Sequence, residues 1–223
     1  LDEALLAPYR AALAGHPLCT RGTTHISVID ERGNAAALTL SNGEGSGHVL
    51  PGTGIMLNNM LGEEDLNPGG FHHWQENVRV SSMMAPTLAI DTDRLIAIGS
   101  GGSNRLRTAI LQTLCNMIDH GMSVEEAVAA PRIHCERKRI SIEPGFSRES
   151  VDTLIAAFPD YHLWDEKNLF FGGAHTVLFD GTGFDGAGDP RPIALVVSRD
   201  IIQERLNHIL FAIEFLTAVV AAG

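Results

Sequence analysis

At Thr23 the character of the chain changes abruptly. In the run TTHISVID, Ile26, Val28 and Asp30 alternate with His25, Ser27 and Ile29, the period-two pattern of a β-strand. The turn segment Glu31-Arg32-Gly33-Asn34 follows, then a second apolar run over residues 35–41. Two such runs around a short glycine-containing turn make a hairpin. Directly behind it lies a loop, residues 42–54, with Gly43, Gly45, Gly47, Gly52 and Gly54. Glycine at that density means a backbone in unusual φ/ψ regions or held close to something bound.

The remaining elements follow from periodicity and punctuation. Residues 1–22 hold a short helix-like stretch ending near Gly15 and then a proline-containing loop. Residues 56–80 are irregular, with Pro68, Gly69, Gly70 and an aromatic-histidine cluster, Phe71, His72, His73 and Trp74. Strands are expected at 87–91 and 95–99. The loop Ser100-Gly101-Gly102-Ser103 then leads into a helix whose Leu106, Ala109, Ile110, Leu114, Met117 and Ile118 share one face, with Gly121 as its stop. Ser123 with Glu126 forms a capping box for a short helix that Pro131 ends. A strand at 140–143, a helix capped by Ser147 and a strand at 175–179 complete the pattern. Such an order fits an α/β (α+β) layered domain better than a regular βαβ repeat. The tail from residue 199 to 223 is read as an apolar helix. It contains Glu204, Arg205 and Glu214, which favours a packing or interface role over a membrane span.

Composition narrows the function. The chain has 223 residues and 44% apolar content, enough for a real core, and its net charge is −11. A nucleic-acid backbone or an anionic membrane surface is met with Lys and Arg, so neither is an expected partner. Cys19, Cys115 and Cys135 are odd in number and show no CxxC spacing, pointing to buried free thiols rather than a disulfide framework. No targeting signal is legible at the start of the chain, and the compartment stays open between cytoplasm and periplasm. The histidines show no HExxH or paired Cys/His spacing, so no metal is expected. GSGGS lacks the lysine and spacing of a phosphate loop.

Taken in order, TTHISVID, RGNAAALT, SNGEGSG, LNNM, RVSSMMAPT and GSGGSNR resemble the small subunit of the gamma-glutamyltransferases, over roughly residues 23–191. The resemblance implies a four-layer αββα N-terminal-nucleophile hydrolase sandwich, of which this chain supplies the small-subunit part. On that basis residues 1–22 are the remnant of the segment before a self-cleavage site, 23–198 the catalytic domain and 199–223 the added helix. It further implies cleavage between Gly22 and Thr23, freeing Thr23 as an N-terminal nucleophile. Taken alone, Thr23 would read as a β-branched strand starter. An alcohol is a weak nucleophile near neutral pH and needs an adjacent base; a free α-amino group, with a pKa near about 8, can supply one.

The same resemblance assigns the other site residues. Ser41 would position or activate the N-terminal group, although a strand end running into an Asx-type turn accounts for it equally well. Asn42 would contact the substrate's α-amino end, and Ser81 and Ser82 its α-carboxylate, since hydroxyls donate to carboxylate without adding charge. Gly101 and Gly102 would form the oxyanion hole, backbone N–H groups aimed at the developing charge. Two positions depart from the family pattern. Where the family has Glu or Gln after the Asn pair and Asp three residues later, this chain has Met60 and Glu63, and Glu44 becomes a candidate substitute. The implied reaction is acyl transfer or hydrolysis of gamma-glutamyl amides such as glutathione, with no cofactor and with a large subunit as partner. Another amidase or acylase of the same nucleophile class, or a catalytically silent fragment, are the alternatives.

Overall fold

The computed structural model describes residues 22–43, 45–191, 194–198 and 217–221, the last two stretches as backbone only. Glu44, Cys19 and the helix expected before Gly15 lie outside the described residues.

The hairpin forms as expected from β1 (Thr23–Ile29) and β2 (Ala35–Ser41), paired Thr23 to Ser41 and Ile29 to Ala35. Asp30 closes its turn. One side-chain oxygen accepts the backbone N–H groups of Arg32 and Asn34, both at 2.9 Å, and the other accepts the Asn34 amide at 2.7 Å. The next strands are β3 (Thr87–Ile90), β4 (Leu95–Gly101), β5 (Ile133–Glu136), β6 (Arg139–Ile142) and β7 (Tyr161–Leu163). After them come β8 (Gly173–Phe179), β9 (Phe184–Gly188), β10 (Ala194–Ser198) and β11 (Thr217–Ala221). Among the described residues three α-helices separate them, α1 (Leu106–Ile118), α2 (Val124–Ala129) and α3 (Arg148–Ala157). The capping box of Ser123 and Glu126 is present at α2, and Ser147 caps α3.

Two four-stranded sheets, ordered β10-β11-β1-β2 and β3-β4-β8-β9, pack face to face, with β1 against β4 and β8. Helices α1 and α2 cover the outer face of the second sheet, where Ile96 and Ile98 meet Ile110, Met117, Val124 and Val128. The opposite face of β4 carries Ala97, which meets Ile29 and Val177 between the sheets. Strand β4 is therefore buried on both faces, and its near-continuous apolar run follows from that. The described residues supply three layers, helices on sheet on sheet, of the expected αββα sandwich. A small third sheet, β5-β6-β7, stands beside them.

Two expectations are corrected. Within the tail read as a helix, residues 217–221 form β11, parallel to both β1 and β10; residues 199–216 lie outside the described residues. TAVVA is rich in β-branched residues, and a short apolar run does not by itself separate strand from helix. The thiols are also not uniformly buried: Cys115 is half-buried and Cys135 exposed, both free. Strands β5 and β7, three or four residues each, have no counterpart in the sequence reading. Among the described residues no helix is long and apolar enough to cross a membrane.

Candidate active site

The paired ends of β1 and β2 bring Thr23 and Ser41 together, with Thr23 Oγ1 and Ser41 Oγ 3.0 Å apart. Ser41 Oγ also donates to the Gly22 carbonyl at 3.3 Å and accepts the Gly43 N–H at 3.1 Å. A hydroxyl has one hydrogen and two lone pairs. With its hydrogen on Gly22 and one lone pair on Gly43, Ser41 keeps one lone pair for the Thr23 hydroxyl. The Gly22 carbonyl accepts a second bond, from the Asn42 N–H at 2.9 Å. The bond between Gly22 and Thr23 thus has a carbonyl polarised by two donors and a hydroxyl beside it whose proton has an acceptor.

The oxyanion candidates lie across the sheet interface. A Cβ on Gly101 would stand 3.4 Å from the Thr23 carbonyl oxygen and 3.7 Å from Thr23 Cβ, so this backbone runs directly alongside the nucleophile candidate. Gly102 has φ +122°, and a Cβ there would lie 2.7 Å from Gly172 Cα. Gly172 in turn, with φ +81°, would place a Cβ 2.9 Å from both the Gly101 oxygen and Ser100 Oγ. These two segments pack backbone on backbone, which only glycine permits. Ser100 Oγ staples them, donating to the Gly101 carbonyl at 2.7 Å and accepting the Gly173 N–H at 3.1 Å. A 3₁₀ turn, Ser103–Arg105, separates Gly102 from α1.

A chain of hydrogen bonds ties the remaining candidates to this corner. The Asn42 carbonyl accepts the Asn59 N–H at 3.1 Å, which fixes the start of the 3₁₀ turn Met60–Gly62. The following turn, Glu64–Leu66, is joined to the serine pair, because Ser81 Oγ donates to the Asp65 carbonyl at 2.9 Å. Ser82 Oγ accepts the Met84 N–H at 3.2 Å. The Asn42, Ser81 and Ser82 side chains are exposed and Glu63 is half-buried.

Behind the glycine segments lies a buried ion cluster of Arg132, Glu143, Asp189 and Arg191. Arg132 pairs with Asp189 at 2.7 Å, Arg191 pairs with Asp189 at 3.1 Å, and Arg191 also meets Glu143. Arg132 additionally donates to the Gly172 carbonyl at 3.1 Å, and Asp189 accepts the Ala174 N–H at 2.9 Å. The cluster grips the strand segment on which Gly102 rests. The pair Gly172-Gly173 is the signal that points to it.

The polar face of β1 also goes inward. His25 and Ser27 are fully buried between the sheets, whereas Ile26 and Val28, on the other face, are only partly covered. His25 and His175 stay neutral in the fold, burial pushing the first down to about 4 and the second to about 3. His72 packs edge-on against Trp74 in an exposed loop. Among the described residues no group of three or more His, Cys, Asp or Glu is gathered as metal ligands.

The gamma-glutamyltranspeptidase family model matches residues 6–196. The chain belongs to the gamma-glutamyltranspeptidase family. It is 32% identical over 204 residues to the glutathione hydrolase proenzyme of Escherichia coli strain K12, covering 84% of this chain and 33% of that protein. It is 34% identical over 181 residues to the acylase ACY 1 proenzyme of Pseudomonas sp. strain V22, covering 78% of this chain and 32% of that protein. The chain therefore spans about a third of the length of these relatives. Among solved structures, it superposes on the T380A mutant of Helicobacter pylori gamma-glutamyltranspeptidase with a TM-score of 0.62 at 29% identity, over 75% of this chain and 99% of that chain. Near-complete coverage of that chain places this family member's described core within the family's α/β architecture.

Proposed function

We propose that this chain is the small-subunit part of an enzyme that transfers or hydrolyses gamma-glutamyl amides, glutathione among them, through Thr23. The observation that carries the reading is the triangle of Thr23 Oγ1, Ser41 Oγ and the Gly22 carbonyl, with contacts of 3.0 and 3.3 Å about Ser41. In maturation, Thr23 Oγ attacks the Gly22 carbonyl carbon, its proton passes by way of the Ser41 hydroxyl to the departing Thr23 nitrogen, and the Asn42 N–H steadies the oxyanion. The C–N bond breaks, its nitrogen leaves as the α-amine of Thr23, and water hydrolyses the resulting ester. That amine then serves as the base, directly or through a water, which an amide nitrogen cannot do.

In turnover, Thr23 Oγ attacks the γ-carbonyl of the substrate and Gly101 and Gly102 donate to its oxyanion. The amine leaves, and the acyl-enzyme passes to water or to an amino acid. Asn42 and Glu63, and Glu44 from the glycine-rich loop, serve the substrate's ammonium; Ser82 serves its carboxylate, joined by Ser81 once its hydroxyl turns from the Asp65 carbonyl. Nucleophile, base and electrophilic donors are all protein groups, so the chemistry needs no cofactor.

A large subunit of the same precursor completes the enzyme. Supporting this, Leu38 and Leu40 project from the outer face of β2 with 49% and 47% exposure, whereas the second sheet has its helical cover. Among the described residues β2 is also an edge strand. An apolar sheet face and an open edge of this kind call for a covering partner.

Met60 favours a second reading, because its thioether cannot hold an ammonium as Glu or Gln would. The similarity to an acylase proenzyme supports it equally. Hydrolysis of γ-glutamyl-p-nitroanilide, compared with anilides of other acyl groups, separates the two. Gamma-glutamyl preference in kcat/KM is the expected result, and preference for an acyl chain without an α-ammonium would replace it with the acylase reading.

A further inference from the structure

Strands β1 and β4 belong to different sheets, so no ladder of backbone hydrogen bonds fixes how far one slides along the other. Only side chains meeting between the sheets can set that register. One contact there has the form of a key. A Cβ on Gly99 would stand 2.1 Å from both Cε1 and Nδ1 of His25, inside the imidazole ring. Gly99 has no positive φ. Its backbone does not demand glycine; the ring does.

The ring has no freedom to leave. His25 is fully buried, with Nδ1 2.8 Å from Thr39 Oγ1 and Nε2 2.8 Å from Ser27 Oγ. Ser27 Oγ donates its single hydrogen to the His175 carbonyl on β8, at 3.3 Å. Ser27 must then accept from His25, which puts the proton on Nε2 and leaves Nδ1 to accept the Thr39 hydroxyl. Both ring nitrogens are satisfied in one orientation, and that orientation lies over Gly99. The adjacent strand β8 is joined to the same network through His175.

One step along the same faces stand the reacting groups. Residues i and i+2 of a strand share a face about 6.7 Å apart. Thr23 therefore follows His25 on β1 as Gly101 follows Gly99 on β4, and the next contact up is at Gly101, where a Cβ would stand 3.4 Å from the Thr23 carbonyl oxygen. We infer that His25, seated on Gly99, is a positioning residue that sets the register of the nucleophile strand against the oxyanion strand. The inference rests on the reading of Thr23 as nucleophile and of Gly101 and Gly102 as oxyanion donors.

The test is a double-mutant cycle in the complete precursor: wild type, Gly99→Ala, His25→Ala and the double variant. Each is assayed for self-cleavage, kcat and KM on γ-glutamyl-p-nitroanilide per mole of chain with a free Thr23 terminus, and for Tm. A shift of about 1 Å in a reacting group costs on the order of 100-fold, so Gly99→Ala is expected to lower kcat about 100-fold with KM within about threefold. Failure to self-cleave counts as the extreme of that loss. Removing the ring makes room for the new methyl, so the double variant is expected to recover at least about tenfold over Gly99→Ala. A Gly99→Ala enzyme within about threefold of wild type, or losses that multiply in the double variant, overturns the inference.

Should Gly99→Ala not fold, His25→Asn decides. It keeps one donor and one acceptor but empties the space over Gly99. A fall in kcat at near-unchanged Tm and KM supports the inference, and an unchanged kcat overturns it. Activity surviving Thr23→Ala would instead sink the underlying nucleophile reading, a distinct outcome.

Discussion

Gly102 combines φ +122° with a neighbour, Gly172 Cα, 2.7 Å from where a Cβ would stand. Gly102→Ala therefore forces both a strained backbone, costing about 1–3 kcal/mol, and a shift of this segment against Gly172, which would move the proposed oxyanion donors. Loss of one oxyanion donor costs on the order of 10²–10³ in kcat, and steady-state kinetics of the variant should show a loss of that size with the fold retained. The buried histidines yield a prediction of a different kind. Burial lowers His25 to about 4 and, with His25 and Arg132 adding to it and Asp189 opposing, lowers His175 to about 3. The unfolded chain takes up these protons near pH 6.5 and the folded chain refuses them. Stability is thus fully present above about pH 6.5 and declines as pH falls toward about 4 and then 3, by on the order of a few kcal/mol. Urea midpoints across pH 7 to 4 should fall with pH, and His25→Asn should flatten part of the slope. Thr23, Ser41 and Gly101 were legible because their strings are local. Gly99 and Gly172 were not, since what demands glycine there is a ring or a backbone from a distant part of the chain.

Elements followed the same division. The hairpin, α1 and the capped helices α2 and α3 were legible from alternation, periodicity and caps, signals carried within each element. Strands β5 and β7 were not: IHCE and YHL are short and carry polar residues without a clear alternation, and both strands are held by pairing with β6 between them. The tail misled for a related reason: its apolar run satisfies a helix as readily as the strand β11 that enters the sheet beside β1. The ion cluster binds several elements at once, joining the end of α2, β6 and the segments flanking β8 and β9 through Arg132, Glu143, Asp189 and Arg191. Asp189→Asn leaves the guanidinium of Arg132, only 2% exposed, without its counter-charge. Breaking a buried pair in this way costs about 3–5 kcal/mol. A lowered denaturant midpoint at unchanged m-value would report it, with a larger loss than Arg148→Ala at an exposed pair.

At the scale of the molecule, two packed sheets carry helices on one side and exposed leucines on the other, in a chain about a third as long as its curated relatives. Ample apolar residues and the order of elements made the layered class readable in the sequence. The face-to-face placement of β1 on β4 was not readable, since it joins strands from separate sheets. That placement is what puts Thr23 beside Gly101, where in the proposed chemistry Thr23 acts twice, on its own peptide bond and then on substrate. The direct measurement is Thr23→Ala in the complete precursor, followed by intact mass, N-terminal sequencing and γ-glutamyl-p-nitroanilide turnover. The expected result is one uncut chain with the bond after Gly22 intact and turnover reduced by at least about 10³-fold. A variant that still matures at Gly22 and turns over substrate as the wild type does would contradict it.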